Sequence, residues 1–298
     1  MSVNLAIFAQ QMTPMSPTRR HIALVGCGRP VDKDIADGLR GEGCEVRYVH
    51  CPTSPLAGDV DIFDTEALRR AVRGAEVVVS TIAYLSFRKV DAAAVWQFNV
   101  EGMKNLCLAA ELEGVGRLVH LSSTLCLGHQ TTSQAVDVDA PYLSNDSRTV
   151  LERSLFRGEM QAWMAAERGL KVTTICAGID PEEILPMLER HARRWPRTLP
   201  PMHTAFTNSD DAGRAVARAI GDDGTAGRRI LCVTRNADLG TIANELLPEA
   251  RFGTLSVGQT RLIKHLPEWI ASVFLPGSVP LHLLIARDNY VVGDGGER

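Results

Sequence analysis

From His21 onward, short apolar runs alternate with stretches whose apolar residues recur at helical spacing. That alternation restricts the chain to βαβ units wound around a parallel sheet. The runs from His21 to Val25, Glu45 to His50, Glu76 to Ile82, Arg117 to Ser122 and Lys171 to Ala177 are the predicted strands. Between the first two, Val31, Ile35 and Leu39 fall at i, i+4 and i+8 and give a helix one stripe to press on the sheet. Pro30 suits its first turn and Gly43 is placed to end it. A second helix is expected over Asp64 to Arg73, acidic at its start and basic at its end as the macrodipole favours. A long crossover helix is expected from Ala92 to Glu113.

After about residue 178 the pattern loosens. Pro181, Pro186, Pro196, Pro200 and Pro201 interrupt it, and helices near Asp210 to Ile220 and Leu239 to Leu247 flank a strand at Arg229 to Val233. The expected architecture is an α/β, Rossmann-like, doubly wound parallel sheet with a small C-terminal substrate-side lobe. Residues 1–20 are read as a loose leader, 21–178 as the nucleotide-binding core and 179–298 as the lobe that completes the same domain. With 298 residues, 45% of them hydrophobic, the chain has material for such a core without cross-links.

The seven cysteines are scattered, with no Cys-x-x-Cys pair and no histidine at ligand spacing, so no metal site is expected and the thiols read as reduced core residues. A net charge of −3 gives no reason to expect nucleic acid or an anionic membrane as partner. The expected partner is a small molecule, and the expected location cytoplasmic.

The turn after the first strand reads Val25-Gly26-Cys27-Gly28-Arg29-Pro30-Val31-Asp32. In a dinucleotide site, glycines here let the backbone approach a pyrophosphate at the helix N-terminus. Gly26 and Gly28 supply the tight turn. Where a third glycine would let phosphate and helix meet, the chain has Asp32, whose carboxylate occupies the positive end of the helix and repels a phosphate. Arg29 would offset that repulsion; the plainer role for Asp32 is to stabilise the first helical turn. The second strand ends in His50-Cys51, neither the acid that binds ribose hydroxyls nor the base that binds an extra phosphate, so it does not choose between NAD and NADP.

Several ordered pieces then accumulate: the degenerate glycine loop, Asp61-Ile62-Phe63-Asp64, Ser80-Thr81-Ile82-Ala83, Asn99-Val100-Glu101-Gly102, Leu121-Ser122-Ser123 and Asn208-Ser209-Asp210-Asp211-Ala212. In this order the chain resembles the extended short-chain dehydrogenase/reductase family, the NAD-dependent epimerase/dehydratase group, over about residues 21–250. The resemblance implies NAD or NADP as cofactor. It implies that Gly26, Gly28 and Arg29 face the phosphates, that Asp61 and Ile62 lie beside the adenine, and that Ile82 and Ala83 line the nicotinamide side. It makes Ser123 the serine that orients a substrate carbonyl or hydroxyl. Without the resemblance, Ser122 and Ser123 read as a strand end bonded to its own backbone.

The same family uses a tyrosine and, four residues later, a lysine that lowers the phenol's pKa from about 10. Counting back from Glu159 and Gly169, that pair falls on Leu151 and Leu155, and the stretch 143–170 contains no tyrosine and no lysine. The leucines line a substrate pocket or extend an apolar helix stripe with Ala162, two roles that are compatible. His129 and Tyr142 lie in the segment where the family places substrate-facing loops, and Tyr84 follows the strand on the nicotinamide side. His129 is the group there that titrates near neutrality unaided. A surface or packing role competes for each.

Three functions follow. One is an atypical enzyme acting on a small organic molecule by isomerisation, cyclisation or dehydration, with Ser123, His129 or Tyr142 doing acid/base work; this reading is favoured. The others are a non-catalytic ligand-binding regulator and an oxidoreductase with another proton donor. A homodimer is compatible with the apolar residues of the two long helices, Ala162, Trp163 and Ala166 being either contacts or core.

Overall fold

The computed structural model describes residues 20–86, 89–127, 136, 138, 149–263, 266 and 270. Six parallel strands form the main sheet: β1 (His21–Gly26), β2 (Glu45–His50), β3 (Val77–Ser80), β4 (Arg117–Ser123), β5 (Lys171–Ala177) and β8 (Arg228–Cys232), in the order β2-β1-β3-β4-β5-β8. The expected α/β, Rossmann-like architecture is therefore the one observed. From β1 the chain turns one way to β2 and then returns to place β3 on the other side of β1. That reversal creates a switch point, the place where open α/β sheets bind ligands at their strand ends.

Helices cover both faces. On one, α1 (Pro30–Gly41) and α7 (Ser209–Gly221) bury Val31, Ile35, Leu39, Val216 and Ile220 against Leu24, Val79 and Leu121. The predicted stripe Val31, Ile35 and Leu39 is thus the contact face. On the other face, α2 (Thr65–Val72), α4 (Met103–Leu112) and α5 (Val150–Glu167) pack Leu68, Leu106 and Ala162 over Val78, Leu118 and Val172. Asp64 caps α2, its side chain accepting the Ala67 N–H at 2.9 Å.

The predicted long crossover helix is interrupted. It runs as α3 (Ala92–Trp96), a π-helical stretch Gln97–Gly102, and α4. The π stretch lies against α5, where Gly158 allows contact so close that a β-carbon would strike the Asn99 carbonyl oxygen.

The C-terminal region holds α6 (Pro181–Ala192), β6 (Thr198–Leu199), β7 (His203–Phe206), β9 (Arg235–Asp238), α8 (Leu239–Leu246), β10 (Gly253–Thr254) and α9 (Val257–Ile263). Pro181 starts α6, where its missing N–H costs nothing, and Pro186 sits inside the same helix. The prolines that suggested an interrupted chain therefore belong partly to a helix. The strand near 229–233, grouped on sequence with the lobe, pairs in parallel with β5 and completes the main sheet, and the neighbouring α7 packs on α1. Among the described residues, no helix is long and apolar enough to cross a membrane.

Candidate functional site

The carboxyl ends of β1, β3 and β4 bring the predicted residues into one region. Gly26 ends β1, and a side chain there would collide with the Asp32 carboxylate and lie 2.8 Å from Thr81 Oγ1. Gly28 turns the loop at a φ of +84°.

Asp32 organises this loop. It is only 3% exposed. Its Oδ2 accepts the backbone N–H groups of Gly28 and Arg29, each at 2.9 Å, and the Tyr48 hydroxyl at 2.9 Å. Its Oδ1 accepts the Thr81 hydroxyl at 2.5 Å. The bond to the Arg29 N–H ties the first turn of α1 back to the residue that precedes it. Tyr48 Oη also accepts the Gly28 N–H at 3.1 Å. Burial, and then the neighbouring Asp32 carboxylate, pushes the Tyr48 phenol well above its ordinary pKa.

Arg29 turns inward. Its Nε donates to Glu183 Oε1 of α6 at 2.5 Å and its Nη1 to the Thr81 carbonyl at 3.0 Å. The Cys27 thiol contacts the Ala83 carbonyl at 3.5 Å, so loop and β3 end are joined there as well. At the end of β2, His50 Nδ1 lies 2.8 Å from Asp59 Oδ1, and its ring stacks with Tyr48.

The remaining predicted positions are structurally diverse. Asp61 is exposed and accepts the Phe63 N–H at 2.9 Å, whereas Ile62 is buried against Gly102. Ile82 belongs to the core, and Ala83 joins Val95, Cys126, Leu151 and Leu155 in a separate apolar cluster. Leu151 and Leu155 are 2% and 8% exposed, so they are packed hydrocarbon. Tyr84 packs beside this cluster edge-on to Phe98, its backbone N–H and carbonyl both bonded to Asn99. Ala162 is buried in its own domain's core, with Trp163 and Ala166 packed against it.

Ser123, half-buried at the end of β4, accepts the Leu125 N–H at 3.2 Å and so caps the turn that follows. The backbone role read from the bare sequence is present. An oxygen that accepts an N–H still carries its own proton to donate. Its neighbour Ser122 donates to Glu159 Oε2 at 2.5 Å. Glu159 is buried, with Arg229 Nε at 2.5 Å and Trp163 Nε1 at 3.0 Å. Burial alone would raise the Glu159 pKa, but Arg229 and the hydrogen bonds hold it below the ordinary carboxylate range. His129 and Tyr142 lie outside the described residues.

Tyr48, Thr81 and Glu183 are the residues of this region that sequence reading missed. The signal for Tyr48 is its two-residue spacing from His50, which puts both on one face of β2. No signal pointed to Glu183, whose partner is 154 residues away.

This arrangement does not fit a dinucleotide whose pyrophosphate is held by the first loop. The loop N–H groups of Gly28 and Arg29 that would bind phosphate are bonded to Asp32, and a phosphate would approach that carboxylate in a poorly hydrated setting. Among the described residues, no group of three His, Cys, Asp or Glu side chains is placed to hold a metal ion.

A parallel sheet with a loop at its switch point defines an α/β protein of the Rossmann-like type. Residues 31–147 match the model of the 3-beta hydroxysteroid dehydrogenase/isomerase family. The chain is 30% identical over 156 residues to a dTDP-4-dehydrorhamnose reductase from Mycolicibacterium smegmatis, a match covering 50% of this chain and 42% of that one. It therefore spans less than half the length of that relative. The solved structure of gox2253 superposes with a TM-score of 0.73 at 20% identity, covering 92% of this chain and 90% of the other. An NAD-bound short-chain dehydrogenase/reductase superfamily protein from Agrobacterium tumefaciens superposes with a TM-score of 0.65 at 18% identity, covering 89% and 95%. Together these matches make the chain similar to the extended short-chain dehydrogenase/reductase proteins.

Proposed function

We infer that this chain is an atypical extended short-chain dehydrogenase/reductase-like enzyme that acts on a small organic molecule at the strand ends by proton transfer rather than hydride transfer. The observation that carries this reading is the contrast between β4 and α5. Ser123 keeps a hydroxyl at the strand end, while Leu151 and Leu155 bury hydrocarbon where the family resemblance puts the tyrosine and lysine. The Ser123 O–H donor would polarise a carbonyl while His129 or Tyr142, the other acid/base groups expected from sequence, would take up the α-proton and return it, so that an isomerisation needs no net redox change. The matched family's description names an isomerase beside a dehydrogenase, and the curated match is named for a keto sugar nucleotide. A ring ketone is the substrate class common to these descriptions, and it is the class proposed for this chain.

The test is cofactor-free exchange of α-protons with deuterated water, followed by NMR on a panel of steroid enones and nucleotide-linked keto sugars. Exchange catalysed by the wild type and reduced by roughly a hundredfold in Ser123→Ala, the scale of a lost oxyanion donor, supports the reading. Conversion that occurs only on addition of NADH or NADPH overturns it. A second reading, a non-catalytic ligand-binding protein, is favoured by the commitment of the loop donors to Asp32. Saturable binding of one panel member without exchange would establish that instead.

A further inference from the structure

We propose that Asp32 is a built-in substitute for the phosphate that this loop architecture ordinarily receives, so that the loop is a self-liganded anion cradle and the cleft takes a ligand that is not a dinucleotide. The carboxylate takes four donors from three places: the turn at Gly28 and Arg29, Tyr48 on β2, and Thr81 just beyond β3. Backbone N–H groups at a helix start together with nearby hydroxyls are the donor set that a phosphate oxygen would seek.

Gly26 belongs to the same device. Its missing side chain leaves room for the carboxylate, since a β-carbon there would occupy the position of Asp32 Oδ2 and crowd Thr81 Oγ1. The glycine that the family resemblance assigns to a pyrophosphate contact therefore accommodates the protein's own acid. Arg29 completes the closure. Its guanidinium is held by Glu183 and the Thr81 carbonyl, so the positive group nearest the loop is neutralised from the lobe side and is not offered to a ligand anion.

Removing the charge of residue 32 should open the cradle. Asp32→Gly frees the Arg29 N–H and leaves that of Gly28 with Tyr48 alone, and Asp32→Asn keeps the side chain's size while cancelling its charge. Wild-type protein and both variants are titrated by calorimetry with inorganic pyrophosphate, NAD and NADP, with circular dichroism melts reporting which variants fold. The expected result is no saturable binding to the wild type at millimolar concentration. Pyrophosphate affinity should rise by about tenfold or more in the folded variants, the order of one charge-assisted hydrogen bond regained.

The proposal is overturned if the wild type binds NAD or NADP tightly and Asp32→Asn binds it no better, or if both variants fold yet neither gains pyrophosphate affinity. Should neither variant fold, hydrogen exchange of the wild type decides. Gly28 and Arg29 amides that stay protected without ligand support the proposal, and exchange at the rate of an open loop overturns it. These outcomes are independent of the deuterium-exchange test, so a cofactor-free enzyme and a self-liganded loop can fail separately.

Discussion

Arg29 and Glu183 form an ion pair at 2.5 Å across 154 residues of sequence, joining the loop after β1 to helix α6 of the distal lobe. Their side chains are 18% and 12% exposed, so solvent screens the pair only weakly. Glu183→Gln leaves Arg29 charged, poorly hydrated and short of its counterion. A loss of about 2–4 kcal/mol is expected in urea unfolding at neutral pH. An unchanged midpoint would show that the lobe does not depend on this tie.

Glu159 and Arg229 set a second expectation, with a defined pH sign. The Glu159 carboxyl is held below its ordinary range, so its contribution is fully present above the unfolded-state pKa and fades as pH falls through the folded-state value. In Arg229→Met the carboxylate is left buried without its cation, costing about 3–5 kcal/mol at pH 7. Part of that loss should be recovered on acidification, because protonation relieves the unpaired charge. A variant whose deficit stays constant from pH 7 to pH 4 would contradict this.

His120 faces Ser80 Oγ at 3.3 Å inside the sheet, and burial lowers its pKa from the usual 6.5 to about 4. The folded chain then refuses a proton that the unfolded chain accepts between those two values. Stability should therefore fall as pH drops through that window, by up to roughly 3 kcal/mol from this group. NMR titration of the imidazole checks the folded value directly. Should the ring titrate near 6.5 in the native protein, this source of acid sensitivity is removed.

Gly158 and Gly38 are both helical glycines with opposite expectations. At Gly158 a methyl group would strike the backbone of Asn99, and Gly158→Ala should cost about 3 kcal/mol as helix α5 is pushed off the π-helical stretch. At Gly38, exposed on α1 with open space around it, Gly38→Ala should stabilise by about 0.5–1 kcal/mol. Thermal melts of the two variants that shift in the same direction would refute the close-contact assignment.

The alternating pattern made the sheet legible because parallel strands buried on both faces are mostly apolar, as Val77 to Val79 and Leu118-Val119 illustrate. Helix α1 was equally plain from Val31, Ile35 and Leu39. The strand at Arg229 to Val233 was legible but its place in the main sheet was not, because Arg228 and Arg229 look like surface although Arg229 reaches inward to Glu159. Helix α6 was obscured by Pro186, since proline counts against a helix unless tertiary packing offsets one lost hydrogen bond.

At the site, sequence reading placed Asp32 at the positive end of α1, but not its donors. Tyr48, Thr81 and Glu183 meet it or Arg29 through sheet pairing and lobe docking, and no local periodicity encodes such encounters. Leu151 and Leu155 were legible as replacements only through the family resemblance. Both are buried in one apolar cluster with Ala83, the helix stripe that the spacing predicted.

The path of the chain after β5 has a consequence for engineering. It leaves the sheet for α6, returns after β7 to lay α7 and β8 on the sheet, and departs again for β9 and α8. The lobe is laced to the sheet by repeated crossings, so no contiguous segment can be excised or grafted as a module. Ending the chain at residue 178 would strip β8 from Thr173 to Ala177 and leave a bare apolar strand edge, a template for self-association.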